Sequence, residues 1–474
     1  GGFIWEWADE GLFKKLPNGK TQVSYGGDFG DYPNLKVFCI KGVVASDRSL
    51  SPKYWEVKKV YQPIAVFRKG DKILVINRNH HTNLNQLRCC WTISTDGKVT
   101  SKAEMPLPDV NPGDSVLLDL PKTAPLSLRR GVGGDADVRL NFSFTLKNKT
   151  NWAKAGFEVA SEQVCLQEGK LATDKIENKV KLAITESGNI ITAQSSKITA
   201  SWDKKTGALT SLVLGGKQLL AAAKDFDRQP LVQAFRAPTD NDKGFGNWIA
   251  KDWKLQGLDS PRVVIDTVKP IVRKDGALVL TVCQTNQYKN GQIKAKFTYT
   301  ATASGLLDLK IQFVPVGTLP EIPRLGIAFA LNPDLENYVW YGEGPWENYI
   351  DRKSATTVGL WKSTVTAQAF DYPKPQETGN HEDIRYLTLQ NDKGQGLKVS
   401  AVDKTFSASA IHYSVNDLTN EGHACNLIPR KEVILSLDAA MMGLGNSSCG
   451  PGVLKKYAIE KKEHVLHVRI TPTP

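Results

Sequence analysis

From Ile64 onward, this chain consists mainly of short segments in which polar and apolar residues alternate, and that pattern restricts its fold more than any other feature. Val138–Leu146 (VRLNFSFTL) and residues 307–313 (LDLKIQF) show the alternation most clearly. Alternation of this kind sends successive side chains to opposite faces of a β-strand. Helical periodicity is nearly absent, except for one short helix near residues 247–255. The pattern therefore predicts a mainly β protein with antiparallel sheets.

Turn signals divide this alternating region into two parts. Residues 64–166 contain short strands separated by pairs such as Asp96-Gly97 and Pro112-Gly113, a spacing typical of a β-sandwich. A polar segment at residues 167–180 has the composition of a linker. Strand-like segments then continue to Ile470, which is too far for one simple sandwich. We therefore expect a second, larger antiparallel double sheet in the last part of the chain.

The opening segment, residues 1–62, has a different pattern. Apart from Glu6, residues 2–8 form a short apolar run without polar alternation, which is typical of a strand buried on both faces. A long loop rich in turn-forming residues follows. Ser51 and Pro52 then provide a cap and a first-turn residue for a helix that ends before Pro63. The segment thus predicts one strand, a long loop and one helix.

Composition excludes several classes of function. Lys and Arg number 61 and Asp and Glu 49, giving a net charge of +12 that is dispersed along the chain, so we expect a solvated surface and no nucleic-acid partner. No apolar run reaches the about 18 residues that a membrane-spanning helix needs. The seven cysteines include no CxxC pair and predict neither a zinc site nor a complete disulfide framework. The strand-like beginning, without Met or a signal peptide, suggests a fragment of a longer protein.

Three segments carry residue types that suit carbohydrate chemistry, and each has a structural alternative. Trp5 and Trp7 fall on one face of a strand, where an indole can stack on a sugar or pack in a core. Asp240 and Asp242 can ligate a hard cation or cap the backbone of an Asx turn. Residues 341–352 (YGEGPWENYIDR) mix aromatic and acidic residues, which can bind a sugar or form a structural ion pair with an arginine.

Several of these segments together resemble the carboxy-terminal half of the large bacterial β-galactosidases of glycoside hydrolase family 2. The matching motifs follow the family's order along the chain: GGFIWEWAD at 1–9, YGGDFGDYPN at 25–34, FCIKGVVASDR at 38–48, FRAPTDND at 235–242, YGEGPWENY at 341–349 and MGLGNSSCGP at 442–451. The resemblance implies the last strand and helix of a (β/α)₈ barrel at 1–62, an immunoglobulin-like β-sandwich at 63–170, and a large β-supersandwich of galactose mutarotase-like type at 171–474.

The resemblance also implies a chemistry that this chain does not complete. The family hydrolyses β-galactosides with two glutamates that precede the GGF motif, so no catalytic residue is expected here and the chain alone is expected to be inactive. Its implied partners are a β-galactoside or oligosaccharide, the missing amino-terminal half and further copies in a homo-oligomer. The compartment, bacterial cytoplasm or periplasm, is left open.

Four residues of the opening segment match the family's site. Trp5 matches the indole platform of the galactose pocket. Asn34 matches a magnesium ligand, and Phe38 matches a position whose backbone carbonyl binds sodium. Lys41 stands where the family's best-known member has an asparagine that contacts sodium and sugar, and its ammonium group makes a sodium site doubtful.

Two further residues come from the large sheet region. Gly244 lies at the position of a hinge for a mobile active-site loop. Cys449 replaces a tryptophan that stacks on the aglycone, so lactose need not be the natural substrate.

Other functions remain open at this stage. The chain can be a free-standing carbohydrate-binding module that uses Trp346 or Trp248 for stacking, or an oligomerisation module. Within the enzyme family, β-glucuronidase and β-mannosidase are the alternative specificities, although their relatives usually lack the long supersandwich region.

Overall fold

The computed structural model describes residues 3–121, 135–171, 181–244 and 249–473. These residues form two compact units: residues 3–52, 181–353 and 361–473 belong to the first, and residues 53–171 and 354–360 to the second. Among the described residues, no helix combines the length and apolarity needed to cross a membrane. The linker residues 172–180 and the alternative stacking residue Trp248 lie outside the described residues. The domain boundaries given above stay a prediction.

The described residues contain the following strands and helices, numbered in chain order. The strands are β1 (Leu12–Lys15), β2 (Thr21–Ser24), β3 (Ile64–Lys69), β4 (Lys72–Asn77), β5 (Leu87–Thr95), β6 (Lys98–Met105), β7 (Ser115–Asp119), β8 (Val138–Leu146), β9 (Glu158–Gln167), β10 (Ala183–Ser187), β11 (Ile190–Gln194), β12 (Ile198–Asp203), β13 (Leu209–Leu214), β14 (Lys217–Gln218), β15 (Leu231–Gln233), β16 (Arg262–Val272), β17 (Leu278–Gln287), β18 (Gly291–Ala301), β19 (Leu307–Gly317), β20 (Arg324–Leu331), β21 (Asn337–Gly344), β22 (Thr357–Thr364), β23 (His381–Ile384), β24 (Tyr386–Gln390), β25 (Gly396–Ala401), β26 (Phe406–Ile411), β27 (Val433–Met441) and β28 (His464–Pro472). The α-helices are α1 (Pro52–Val60), α2 (Asp240–Lys243), α3 (Ile249–Gln256) and α4 (Val415–Asn420).

The second unit is the predicted β-sandwich. Its two antiparallel sheets have the strand orders β3-β4-β7 and β6-β5-β8-β9. Apolar residues at alternate positions of β4, β5 and β8, such as Ile73, Trp91 and Phe144, are buried in one continuous core. Because period-two alternation gives each strand one apolar face, two such sheets bury those faces against each other.

The first unit contains the predicted large antiparallel sheets. Eight strands of this unit lie in one sheet in the order β16-β17-β18-β19-β28-β25-β24-β21, and two five-stranded sheets have the orders β10-β11-β12-β13-β14 and β15-β20-β27-β26-β23. Every residue of β20 (RLGIAFAL) is buried, including Arg324. Strand β20 lies between β15 and β27 in its sheet and is buried on both faces, so polar and apolar residues do not alternate along it.

The opening segment differs from its prediction in two respects. Helix α1 begins at Pro52, as the sequence predicts. Residues 3–8 do not form the expected strand buried on both faces: Ala8 makes an isolated parallel bridge to Val44, and Phe3 and Trp5 are exposed. Val43 N donates to Glu6 O at 3.1 Å and Val44 N donates to Trp7 O at 2.9 Å, so residues 43–44 pair with one edge of the segment, while its aromatic side chains are not covered on both faces by the described residues. The long loop also contains the β1–β2 hairpin, which four-residue strands do not reveal in sequence.

Candidate functional site

The ammonium group of Lys41 joins two carboxylates of the opening segment. Its Nζ lies 2.9 Å from Glu6 Oε1 and 2.8 Å from Glu10 Oε2. The same Nζ lies 5.3 Å from the centre of the Phe38 ring, within the range of a cation–π contact. The hydrogen bond to Glu10 raises the pKa of Lys41, and the same bond lowers the pKa of Glu10. Lys41 is therefore held as a cation between two acids.

The distance between the Glu6 and Glu10 carboxylates can be compared with the distance between the two catalytic carboxyl groups of a glycosidase. Because both carboxylates contact one ammonium group, they lie less than about 6 Å apart, a separation close to that of retaining glycosidases. A retaining mechanism needs one carboxyl group that is protonated before the bond breaks. The pKa of Glu10 moves in the opposite direction, and Lys41 fills the space between the two groups. The arrangement suits binding and positioning rather than general acid catalysis.

The indole of Trp5 is free to act as a platform. Its side chain is 79% exposed, and that of Trp7 is 55% exposed. Neither ring is packed in a core formed by the described residues. An exposed indole offers an apolar face to the C–H groups of a sugar ring. Trp5, Phe38 and Lys41 thus belong to one segment that carries aromatic faces and a fixed cation.

The metal positions implied by the resemblance are incomplete. Asn34 Oδ1 accepts the backbone N–H of Lys36 at 3.2 Å, and Asn34 Nδ2 donates to Asp31 O at 2.8 Å. One amide oxygen does not make a magnesium site, which needs about six oxygen ligands. The described residues contain no group of three His, Cys, Asp or Glu side chains placed to hold a metal. The sodium site near Phe38, which the resemblance leaves doubtful because of Lys41, stays a prediction.

Gly244 ends helix α2 with a backbone conformation that favours glycine. Its φ is 56° and its N–H donates to Asp240 O at 2.9 Å. At the start of α2, Thr239 and Asp242 form a reciprocal capping box. Asp242 therefore caps the backbone, as the Asx-turn alternative expects. Residues 245–248, which follow Gly244 directly, lie outside the described part of the chain, so the role of Gly244 as a hinge stays a prediction.

Cys449 lies in an exposed loop that is bonded to the α2 segment. Asn241 Nδ2 donates to Gly445 O at 2.6 Å, and Ser448 Oγ donates to Asn241 Oδ1 at 2.8 Å. The carboxylate of Asp351 accepts the backbone N–H groups of Leu444 and Gly445 at 2.9 and 2.8 Å. These bonds place Gly244 and Cys449 on two loops that are held together.

A buried arginine, which the sequence analysis did not single out, fixes both loops. Arg236 is fully buried and donates to Asp242 through Nε at 3.0 Å and Nη2 at 2.7 Å. Its remaining donors reach Met442 O at 2.6 Å and Gly443 O at 3.0 Å. The only sequence signal for this role is the position of Arg236 inside the FRAPTDND motif, because its carbonyl partners are about two hundred residues away.

The acidic segment around Trp346 forms a structural ion pair. Glu347 Oε1 lies 2.8 Å from Arg352 Nη2 and also accepts the Tyr372 hydroxyl at 2.6 Å, and Oε2 accepts the Gly379 N–H at 2.8 Å. Burial alone would raise the pKa of Glu347, but Arg352 and these hydrogen bonds lower it below its usual value. Of the two alternatives for this segment, sugar binding and a structural ion pair, Glu347 therefore forms the ion pair with Arg352.

Nearby His381 is also a core residue. Its ring stacks on Trp340 at 4.2 Å between centroids, and its Nε2 lies 2.6 Å from Gln368 Oε1. Burial lowers the pKa of His381 to about 3, so the ring is neutral in the folded protein. A neutral, enclosed imidazole does not serve as a general acid.

Three family models match this chain, and together they cover most of its length. The model "Beta galactosidase small chain" matches residues 194–470, "Beta-galactosidase, domain 4" matches residues 73–167, and "Glycosyl hydrolases family 2, TIM barrel domain" matches residues 1–66. The match at residues 1–66 agrees with the expected end of a (β/α)₈ barrel.

Curated proteins that are similar to this chain are named beta-galactosidases. A beta-galactosidase of Priestia megaterium is 33% identical over 453 residues, and the beta-galactosidase BgaC of Bifidobacterium adolescentis is 31% identical over 458 residues. Each alignment covers 94% of this chain and 42% of the relative, so the chain spans less than half the length of these relatives. Among solved structures, a galactose mutarotase related enzyme from Lactobacillus acidophilus is 10% identical with a TM-score of 0.34, over 60% of this chain and 97% of that chain.

Proposed function

This chain belongs to the β-galactosidase family of glycoside hydrolase family 2, and from that premise we propose that it forms the carboxy-terminal part of a β-galactosidase. The small-chain model alone matches more than half of its residues. In this proposal the full-length enzyme hydrolyses terminal β-galactosides by the family's retaining mechanism. The chain contributes one wall of the sugar site and supports the barrel, while the catalytic acid/base and nucleophile belong to another part of the enzyme.

The observation that carries this proposal is the apolar surface of the opening segment. Large apolar side chains that are at least one-third exposed are concentrated there: Phe3, Ile4, Trp5, Trp7, Leu12, Phe13, Phe29, Tyr32, Leu35 and Phe38. A surface so rich in aromatic residues normally marks an interaction site. The barrel-domain match covers this same segment, so we propose that the remainder of a (β/α)₈ barrel covers much of this surface.

Within that barrel, two residues have defined roles in this proposal. Trp5 stacks on the galactose ring, and Lys41, oriented by Glu6 and Glu10, donates a hydrogen bond to a sugar hydroxyl. Lys41 supplies the positive charge that sodium supplies in the family, so activity should not depend on Na⁺. Magnesium remains part of the proposal, with Asn34 Oδ1 as one ligand and the others contributed from outside this chain.

Kinetics of the full-length enzyme with an aryl β-galactoside test the proposal. Trp5→Ala should lower kcat/KM by about tenfold or more, the effect of losing one stacking contact of about 1.5 kcal/mol. Trp152 is also exposed, at 67%, but belongs to the sandwich, and Trp152→Ala serves as the matched control with unchanged kinetics. Equal effects of the two substitutions, or no hydrolysis by the full-length enzyme, would refute the assignment.

Two finer points belong to the same proposal. Because Cys449 carries no indole, the aglycone subsite should discriminate little between lactose and other β-galactosides. The homo-oligomer implied by the family is tested by sedimentation of the full-length enzyme, where a monomer would exclude it.

A further inference from the structure

The β3-β4-β7 sheet of the second unit carries large apolar side chains on its outward face. Successive side chains of a strand lie on opposite faces of the sheet, so residues that alternate with core residues point away from the core. Ile73 and Val75 belong to the sandwich core, and Leu74 between them therefore lies on the outward face of β4. By the same alternation, Phe67 of β3 and Leu117 of β7 lie on this face too.

Three of these side chains form one row across the sheet. Phe67 is opposite Leu74, and Leu74 is opposite Leu117. Phe67 is 49% exposed and Leu117 is 52% exposed. Ile76, two residues after Leu74 on β4, lies on the same face and is half-buried. Phe67, Leu74, Ile76 and Leu117 together are called the outer patch.

The other sheet of the same sandwich has the outward face expected for contact with water. On β5 and β8, most residues that alternate with the core are polar: Arg88, Thr92, Asn141, Ser143 and Thr145. An antiparallel sheet with one face in solvent normally alternates apolar and polar residues in this way. Single exposed apolar residues are common on protein surfaces. Three that are opposite one another on neighbouring strands depart from the alternation, so the outer patch has the composition of a covered face.

Polar residues border the outer patch on both sides. On one side, Lys69 is opposite Lys72 and Lys72 is opposite Asp119. The Nζ of Lys72 lies 3.6 Å from Asp119 Oδ1. On the other side, the exposed Ser115 is opposite Ile76. An apolar centre with a charged, solvated margin is the usual arrangement of a contact between folded protein surfaces.

The size of the outer patch restricts the kind of partner. Three strands about 4.8 Å apart, with five residues of about 3.4 Å each, give a face of about 14 by 17 Å, or about 240 Å². A stable complex between separate proteins buries about 800 Å² on each partner. The outer patch alone is therefore too small to hold a second copy of the chain or a diffusing partner. It is large enough for a segment of the same polypeptide, because a covalent connection keeps the local concentration of that segment high.

We propose that the outer patch packs against the part of the full-length enzyme that this chain lacks, through an apolar, uncharged surface of that part. Because this chain spans 42% of the curated relatives described above, a longer enzyme has the polypeptide to supply such a surface. The proposal rests on the proposed function in one respect, that the chain is a portion of a longer enzyme. It concerns the sandwich alone and involves none of the residues of the sugar site.

Thiol labelling of a Leu117→Cys variant tests the proposal in two proteins, the purified chain and the full-length enzyme. Mass spectrometry of the labelled peptide separates the new thiol from the native cysteines. In the purified chain, the new thiol should react at the rate of an exposed cysteine. In the full-length enzyme it should react at least about tenfold more slowly, because a covered thiol reacts only when the contact opens. Val99→Cys is the matched control: Val99 is 62% exposed on β6 of the other sheet, and its thiol should react equally fast in both proteins.

A second variant measures the same contact by stability and guards against misfolding of the first. Phe67→Ser should lower Tm about twice as much in the full-length enzyme as in the purified chain. The reason is that 49% of the Phe67 side chain is still exposed in the chain, and covering it adds that share of the burial. Equal shifts of Tm in the two proteins would show that nothing further covers Phe67 in the full-length enzyme, and would overturn the proposal.

The labelling outcomes separate this contact from other occupants and from the proposed function. Protection of Leu117→Cys in the full-length enzyme alone supports the proposal, and equal labelling in both proteins overturns it. Protection already present in the purified chain, together with a dimer in sedimentation, assigns the outer patch to a second copy and also overturns it. A full-length protein that protects Leu117→Cys but does not cleave an aryl β-galactoside supports this contact while refuting the proposed function.

Discussion

Replacing Arg236 with Met should destabilise the first unit strongly. The guanidinium donates two hydrogen bonds to Asp242, at 3.0 and 2.7 Å, and two to the carbonyl groups of Met442 and Gly443. The Arg236 side chain is fully buried and that of Asp242 is 2% exposed. Methionine keeps the apolar stem but leaves the Asp242 carboxylate buried without its counter-ion, and it leaves the Met442 and Gly443 carbonyls without this donor.

The magnitude follows from the burial of the pair. Removing one partner of a buried ion pair costs about 3–5 kcal/mol. A sheet region of roughly 300 residues unfolds with an entropy of about 0.6 kcal/mol per kelvin. We therefore expect Arg236→Met to lower Tm by about 5–8 °C.

Scanning calorimetry of the purified chain measures this effect. Arg262→Met, at an exposed position at the start of β16, is the matched control and should change Tm by less than about 1 °C. Arg236→Met combined with Asp242→Asn should recover part of the loss, because the buried negative charge is gone. If Arg236→Met shifts Tm no more than Arg262→Met does, the buried pair does not fix the two loops as described.

Three further results are expected. The hydrogen bond to Asp308, followed by that to Asp403, raises the pKa of His467 in the folded protein. Protonated His467 therefore stabilises the fold below the ordinary histidine pKa of about 6.5, and this stabilisation is lost as pH rises through the higher folded-state pKa. His467→Gln should lower Tm more at pH 5.5 than at pH 9. Burial lowers the pKa of His381 to about 3. The stability that neutral His381 allows is therefore present above about pH 6.5 and is lost as pH falls toward 3. Tm should fall over that range, and His381→Gln should reduce the slope of Tm against pH. Lys41→Met should raise the pKa of Glu10 toward its usual value, and a carboxyl NMR titration that finds no change would contradict the ion pair.

The mainly β fold is predictable because its signals are local. Alternation in β8 needs no knowledge of its partner strand, and the Ser51-Pro52 pair marks the start of α1 from neighbouring residues alone. The strand expected at residues 2–8 is not found, since a continuous apolar run reports burial and does not report which neighbours provide it. What the described residues keep of it is a parallel bridge between Ala8 and Val44, with backbone hydrogen bonds from Val43 and Val44 to Glu6 and Trp7.

The site is less predictable because its contacts are distant in sequence. Lys41 and its two acids lie about thirty residues apart, and no spacing rule connects them. Arg236 reaches carbonyl groups about two hundred residues away, so its positioning role becomes visible only in three dimensions. Aromatic residues such as Trp5 are recognised early, yet whether they are buried or exposed depends on which elements pack beside them.

In the proposed function, this chain shapes a sugar site without carrying the groups that cleave the bond. The most direct measurement is hydrolysis of an aryl β-galactoside by the purified chain, beside its Glu6→Gln and Glu10→Gln variants. All three proteins should give the same rate, equal to that of buffer. Turnover by the unmodified chain that either substitution abolishes would show that Glu6 and Glu10 are a catalytic pair and would contradict the account.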